Sequence, residues 1–205
     1  MSKYKGYCIA VIGTNGTGKS TWMKNIIDRY KRNVLILMDD DSEEMFDVYT
    51  VLEQQHIGKF KGKAVCYPPS QKKLKIDFFK EIYNNFGFIK NQQMGGLLVF
   101  DDAMTMLSTR DEEVMQIFKK RRQRKLDIIL NCHGFSEYPV SLVKNTTHVL
   151  IKKTLDSTKQ FSQRLNTETA NELIKAVNHV NKMAESNPFY EYVFDLKDTR
   201  NNKKF

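Results

Sequence analysis

The sequence has little cysteine, and what it has is badly placed for a framework. Cys8, Cys66 and Cys132 are odd in number and include no C-x-x-C pair, which argues against a disulfide scaffold and against a zinc site. Two of the three fall in apolar runs, so buried reduced thiols are expected. No apolar run approaches the ~20 residues of a membrane-spanning helix. Met1-Ser2-Lys3-Tyr4-Lys5-Gly6 leads into the first apolar segment with no signal-peptide pattern, so a cytoplasmic setting is expected. Internal repeats and low-complexity linkers are absent from the 205 residues, a length that fits one domain with a sizeable core. Acidic charge is the minority: 24 Asp and Glu against 33 Lys and Arg leave a net charge of +9. That balance favours a polyanionic partner such as nucleic acid, or a membrane surface. Otherwise the chain is 40% hydrophobic and 28% charged, ordinary for a soluble globular protein.

What is present is organised around Gly13-Thr14-Asn15-Gly16-Thr17-Gly18-Lys19-Ser20, the G-x-x-x-x-G-K-S pattern of a phosphate-binding P-loop. Tyr7 to Ile12 before it reads as a buried strand. Trp22, Met23, Ile26, Ile27 and Tyr30 after it recur at helical spacing. The loop therefore belongs between a strand and a helix N-terminus, where amide N–H groups and the helix dipole attract anions. Gly13, Gly16 and Gly18 let the backbone close on phosphates. Thr14, Asn15, Thr17 and Thr21 complete the expected ATP-binding set; Lys19 is placed to reach the β and γ phosphates and Ser20 to hold Mg²⁺.

Val34-Leu35-Ile36-Leu37-Met38 is the apolar run expected of a parallel strand covered on both faces. Asp39 to Glu43 follow it, at the ligand edge of such a sheet or as the cap of a helix starting near Glu43 and carrying Met45, Val48, Val51 and Leu52. Ala64 to Tyr67 reads as a short strand between lysine-rich loops (Lys59, Lys61, Lys63, Lys72, Lys73, Lys75), and Ile76, Phe79, Ile82, Tyr83 and Phe86 as one face of a helix stopped by Gly87. Leu97-Leu98-Val99-Phe100-Asp101-Asp102 is a strand ending in two acids, the Walker B pattern. Asp101 is the candidate Mg²⁺ ligand and Asp102 the residue that orients or deprotonates the attacking water. Thr109-x-x-Glu112 fits a capping box for a helix bearing Val114, Ile117 and Phe118. That helix runs into Lys119-Lys120-Arg121-Arg122-Gln123-Arg124-Lys125, more basic than a helix end requires: either an arginine finger for a neighbouring subunit or a phosphate-contacting patch. The strand Leu126–Leu130 then delivers Asn131 and His133 as candidates to sense the γ-phosphate or to hold the lytic water by a hydrogen bond, and His148 to Ile151 is a further strand. Residues 1–153 read as the core. Residues 154–205 read as an extension, with a helix capped at Thr169, a stop at Pro188 and an edge strand over Tyr190–Phe194.

Assembled, these residues resemble the additional-strand P-loop ATPases of the FtsK/HerA superfamily, most of all its small viral genome-packaging members. The likeness spans Tyr7 to Ile151. It rests on Gly13–Ser20, on Asp41-Ser42-Glu43, on Leu98–Asp102, and on the stretch from Lys119 to Lys153 with Pro139, Leu142 and Asn145. Two positions depart from the family pattern: His133 stands where Gln is usual, and Asp102 where Glu is common. The resemblance implies an α/β fold, a central mostly parallel sheet flanked by helices. It implies ATP and Mg²⁺ as cofactors, double-stranded DNA as partner, and a homo-oligomeric ring (pentamer or hexamer) docked at a capsid vertex, in the host cytoplasm or on the virion. In such a ring Arg121 or Arg122, with Arg124 and Arg110 behind them, acts on a neighbour's γ-phosphate. A small-molecule kinase with residues 119–125 as its lid, a membrane-associated phage assembly ATPase and a non-catalytic nucleotide-binding adaptor are the competing readings.

Overall fold

The apolar runs become strands and the amphipathic stretches between them become helices in the computed structural model, which describes residues 5–39, 44–89, 92–107 and 112–202. In chain order they are β1 (Cys8–Ile12), α1 (Lys19–Arg29), β2 (Asn33–Leu37), β3 (Thr50–Val51), β4 (Lys63–Cys66), α2 (Lys72–Asn85), the short pair β5 (Phe88–Ile89) and β6 (Gln92–Gln93), and β7 (Gly96–Phe100). Then come α3 (Ala103–Met106), α4 (Glu112–Lys120), β8 (Leu126–Cys132), β9 (His148–Ile151), α5 (Lys159–Ser162), α6 (Thr167–Met183) and β10 (Tyr192–Asp195).

Eight strands form one sheet in the order β10-β9-β1-β8-β7-β2-β4-β3. All neighbours are parallel except β10, which runs antiparallel to β9. β8 is therefore inserted between the P-loop strand β1 and the acid-bearing strand β7, the additional-strand arrangement expected from the sequence. Successive side chains alternate between faces. Ala10, Leu35, Leu98, Phe100, Ile128 and Leu130 point into the larger cluster, with Phe79 and Ile82 of α2, Ile117 and Phe118 of α4 and Leu173 and Val180 of α6. Val11, Val34, Ile36, Val99 and Ile129 meet Met23 and Ile27 of α1 on the other face. Burial on both faces explains why these strands read as continuous apolar runs. Phe100 stacks between Phe79 and Phe118, with ring centroids 6.3 and 5.8 Å away. This packing fixes the end of β7 immediately before Asp101.

Two expectations change. The helix foreseen from Glu43 through Leu52 is instead a single 3₁₀ turn, Glu44–Phe46, followed by β3. Val48 and Val51 are 72% and 63% exposed, so they form no helical core face. β-branched Thr50 and Val51 pair with β4, and the Leu52 amide donates to the Val65 carbonyl at 2.7 Å; strand pairing wins over an ambiguous apolar spacing. The helix of the C-terminal segment is capped by Asn166, whose side chain accepts from the Thr169 amide, and not by Thr169. The edge strand expected over Tyr190–Phe194 forms as β10, through which segment 154–202 joins the sheet. Asp40 to Glu43, Thr109 and Arg110 lie outside the described residues. The three cysteines are buried and free, as expected.

Candidate active site

Parallel strands deliver their C-terminal ends to one edge. Ile12 pairs with Cys132, and Leu37 with Phe100 and Phe100 with Leu130. The residues that follow each strand therefore converge. They line a cleft of about 570 Å³ with Asn15, Gly16, Gly18, Lys19, Ser20 and Thr21 from the loop and helix α1, Met38 and Asp39 after β2, Met45, Asp101 and Asp102 after β7, Asn131 and His133 from β8, and Phe189.

The P-loop is held by its neighbours. The Thr14 amide and hydroxyl both donate to the Lys153 carbonyl, at 2.9 and 3.2 Å, and the Thr17 hydroxyl donates to the Thr14 carbonyl at 2.8 Å. A Cβ on Gly13 would lie 2.7 Å from Lys152 Cβ, so only glycine lets β9 and the loop pack this closely. Gly18, the residue before α1, sits at φ 79°, a left-handed conformation that glycine adopts without strain. Lys19 is 5% exposed. Its ammonium donates to the Gly13 and Thr14 carbonyls at 2.6 and 3.1 Å, which keeps its charge inside the loop's concavity.

Opposite stand the acids. Asp101 is buried, and Asn131 Nδ2 donates to its Oδ1 at 2.7 Å. Asp102 is half-buried with φ 56° and ψ 75°. A non-glycine residue in this region costs of order 1 kcal/mol, and such strain concentrates at functional sites. Here it turns the chain sharply at the end of β7 and leaves Asp102 lining the cleft. Asn131 Oδ1 and His133 Nδ1 are buried without hydrogen-bond partners, two unspent polar atoms on residues that line the cleft. The His133 amide donates to Glu137 Oε2 at 2.9 Å. Burial pushes the Cys132 thiol well up, assisted by the negative charges of Glu137 and Asp102 and opposed by Lys19; it is no nucleophile.

All of Asn15, Gly16, Gly18, Lys19, Ser20, Thr21, Asp101, Asp102, Asn131 and His133 are thus brought to one cleft, with Gly13, Thr14 and Thr17 behind it. Arg121 and Arg122 are not. They precede β8, at the other end of the sheet. Arg121 is 5% exposed, its guanidinium donating to the Gly6 and Phe118 carbonyls at 3.0 and 2.8 Å. These contacts tie the turn after α4 to the residues before β1 and speak against its being offered to a neighbour. Arg122 is exposed. Arg124 lies over the Tyr83 ring, 4.6 Å from its centroid, and so serves the α2–α4 contact.

Sequence reasoning did not find Phe189, Met45, Lys152 or Glu137. Phe189 escaped because β10 is antiparallel: the start of that strand, unlike all others, lies at the cleft edge.

A family model described as Poxvirus A32 protein matches residues 3–199. Among solved structures, the genome packaging NTPase B204 from Sulfolobus turreted icosahedral virus 2 in complex with AMP is similar at 15% identity with a TM-score of 0.72, over 100% of this chain and 98% of that one. The same NTPase in complex with AMPPCP gives 16% identity and 0.69, over 93% of each chain. The DNA-packaging ATPase B204 from Sulfolobus turreted icosahedral virus gives 15% and 0.68, again over 93% of each. At these identities the likeness carries the fold. No curated protein sequence matches the chain.

Proposed function

The chain belongs to the poxvirus A32 protein family, and from that premise we propose an Mg²⁺-dependent ATP hydrolase of viral genome packaging that drives double-stranded DNA into a capsid. The observation that carries this reading is the meeting of Lys19, Asp101, Asp102 and Asn131 in one cleft. The loop amides and Lys19 hold the β and γ phosphates, Lys19 exchanging its two carbonyl partners for phosphate oxygens. Ser20 and Asp101 offer hard oxygen donors to the same cleft, the chemistry Mg²⁺ prefers, and few protein ligands suffice because phosphate and water complete its shell. Held there by Ser20 and Asp101, Mg²⁺ would supply positive charge to offset that of the phosphates. Asp102 orients the attacking water and takes its proton. His133 detects the γ-phosphate by donating from its unpaired Nδ1 in the tautomer that carries the proton there, and Asn131 holds the attacking water, whose O–H its unpaired Oδ1 accepts.

The assembly follows the same reading: a pentameric or hexameric ring docked at a capsid vertex, threading duplex DNA held by its phosphates, with the host cytoplasm as its setting. Arg122, exposed at the edge opposite the cleft, is where a head-to-tail ring presents an arginine to a neighbour. The kinase alternative needs residues 119–125 as a mobile lid, and the pinned Arg121 speaks against it.

The test is steady-state ATP hydrolysis with and without long duplex DNA, with Lys19→Ala as blank. Mg²⁺-dependent hydrolysis that DNA stimulates, and that added salt steeply suppresses, is expected. Duplex DNA that fails to bind at low salt overturns the translocase; phosphorylation of an acceptor in a nucleoside panel installs the kinase.

A further inference from the structure

Phe189 is a large apolar residue in an unusual place. It lines the P-loop cleft and is 61% exposed. Its ring approaches the loop, with Cδ1 3.3 Å from where a Cβ on Gly18 would lie. An exposed ring on a mobile tail would mean little, but this one is pinned on both sides. The Phe189 amide donates to Asn187 Oδ1 at 3.1 Å and the Tyr190 amide to the Asn187 carbonyl at 2.9 Å. Two residues on, Glu191 pairs with Lys152 at 2.7 Å, and Lys152 is 2% exposed at the end of β9. Tyr190 packs on His179 of α6, hydroxyl to Nε2 3.2 Å. The turn before β10 thus holds an uncovered aromatic ring beside the first residues of α1, where the polar phosphate-binding groups end.

We propose that Phe189 is the nucleobase platform of this cleft. With the triphosphate on the loop, the base stacks on the Phe189 ring, and the C-terminal segment thereby becomes part of the nucleotide site. The proposal rests on the ATPase reading above and adds to it a residue that sets affinity for the base. Stacking is tolerant of base identity because every base has a π-face, so Phe189 contributes affinity without choosing adenine over guanine. A ring held in place by its loop loses little freedom on binding.

Binding is measured calorimetrically with two probes, ATP and inorganic tripolyphosphate, which has the phosphates and no base. Phe189→Ala is expected to weaken ATP and GTP alike, on the order of tenfold, to leave tripolyphosphate unchanged, and to fold normally because the ring is exposed. Phe189→Trp is expected to restore ATP binding. Unchanged ATP affinity in Phe189→Ala overturns the proposal. So does an equal loss for tripolyphosphate, which would mean that the ring shapes the P-loop instead. A parent chain that binds neither probe overturns the ATPase reading on which the proposal rests, a distinct failure.

Discussion

The two ends of the sheet each carry a cavity, and the larger is not the candidate active site. At the end where the parallel strands begin, a space of about 730 Å³ is lined by Lys5, Tyr7, Arg122, His148, Asp195 and Lys197 among others; the P-loop cleft holds about 570 Å³. Their polar groups differ in kind. In the larger space the acids are already satisfied: Asp195 accepts from the Lys197 and Asp198 amides at 2.8 and 3.0 Å, and Asp198 pairs with Arg200 at 2.8 Å. Positive φ occurs at both ends, at Gly16, Gly18 and Asp102 in the cleft and at Gly6 and Lys125 opposite it, but in the cleft the buried polar atoms Asn131 Oδ1 and His133 Nδ1 have no partner. Unspent polar capacity marks the reactive site here, and cavity size ranks below it.

The largest expected effect separates the two ends by activity. Lys19→Ala should reduce ATP hydrolysis by roughly 10²- to 10³-fold or more, the scale for removing a group aimed at developing charge. Lys197→Ala should leave DNA-free hydrolysis within about twofold, since surface changes away from the chemistry do little. Equal losses would mean that the two cavities work as one. Asp102 tests strain and chemistry together. Asp102→Ala and Asp102→Gly should both lose the roughly 10²- to 10⁴-fold contribution of a positioned base. In urea unfolding, however, the glycine variant should be at least as stable as the parent, and the alanine variant about 1 kcal/mol less stable. Equal stability of the two would remove the strain argument.

At the other end the pair Arg121 and Arg122 is adjacent in sequence and opposite in role. Arg121→Ala leaves two buried carbonyls without their donor and should cost about 1–3 kcal/mol in urea unfolding; Arg122→Ala should lie within ±0.5 kcal/mol. Hydrolysis should follow the reverse order: Arg122→Ala lowers turnover of the assembled ring and leaves the dissociated chain unaffected. If Arg121→Ala instead silences the ring without loss of stability, the structural assignment is wrong.

This pair also shows what the sequence could convey. A motif defined by spacing, such as Gly13–Ser20, encodes its own geometry, since glycines, strand and helix all occur within one short stretch. The strands β1, β2, β7, β8 and β9 were legible because burial on both faces leaves unbroken apolar runs. A charge run encodes only composition, and which guanidinium is buried depends on Gly6 and Phe118, distant or unremarkable in sequence. The false helix at 43–52 arose because Met45, Val48, Val51 and Leu52 satisfy a helical spacing while β4 offers a free strand edge. Phe189 was illegible for a third reason. Its place depends on the direction of β10, a property of topology to which no local pattern refers.

The smallest expected effect is a pH dependence confined to the larger cavity. Burial lowers the His148 pKa from its ordinary 6.5; Asp195 opposes the fall and Lys5 adds to it. Asp195 Oδ2 stands 3.7 Å from Nε2, the Thr147 hydroxyl 3.0 Å from Nδ1, and the Tyr7 ring 5.4 Å from the imidazole. A histidine whose folded pKa lies below its unfolded one binds more proton when unfolded, so the unfolding free energy rises with pH across that window. Acidification from pH 7.5 through 6.5 should therefore erode stability, and His148→Gln should lose that part of the slope. Asp195 acts lower down. Burial raises its pKa, but the Asp198 and Lys197 amides and Asn201 outweigh this and hold it below 3.8, so its contribution persists above that value and disappears only as the folded carboxyl protonates. Urea midpoints at pH 7.5 and 5.5 isolate the histidine from the carboxylate. A His148→Gln slope equal to the parent's would mean that the imidazole is as well solvated in the folded chain as in the unfolded one.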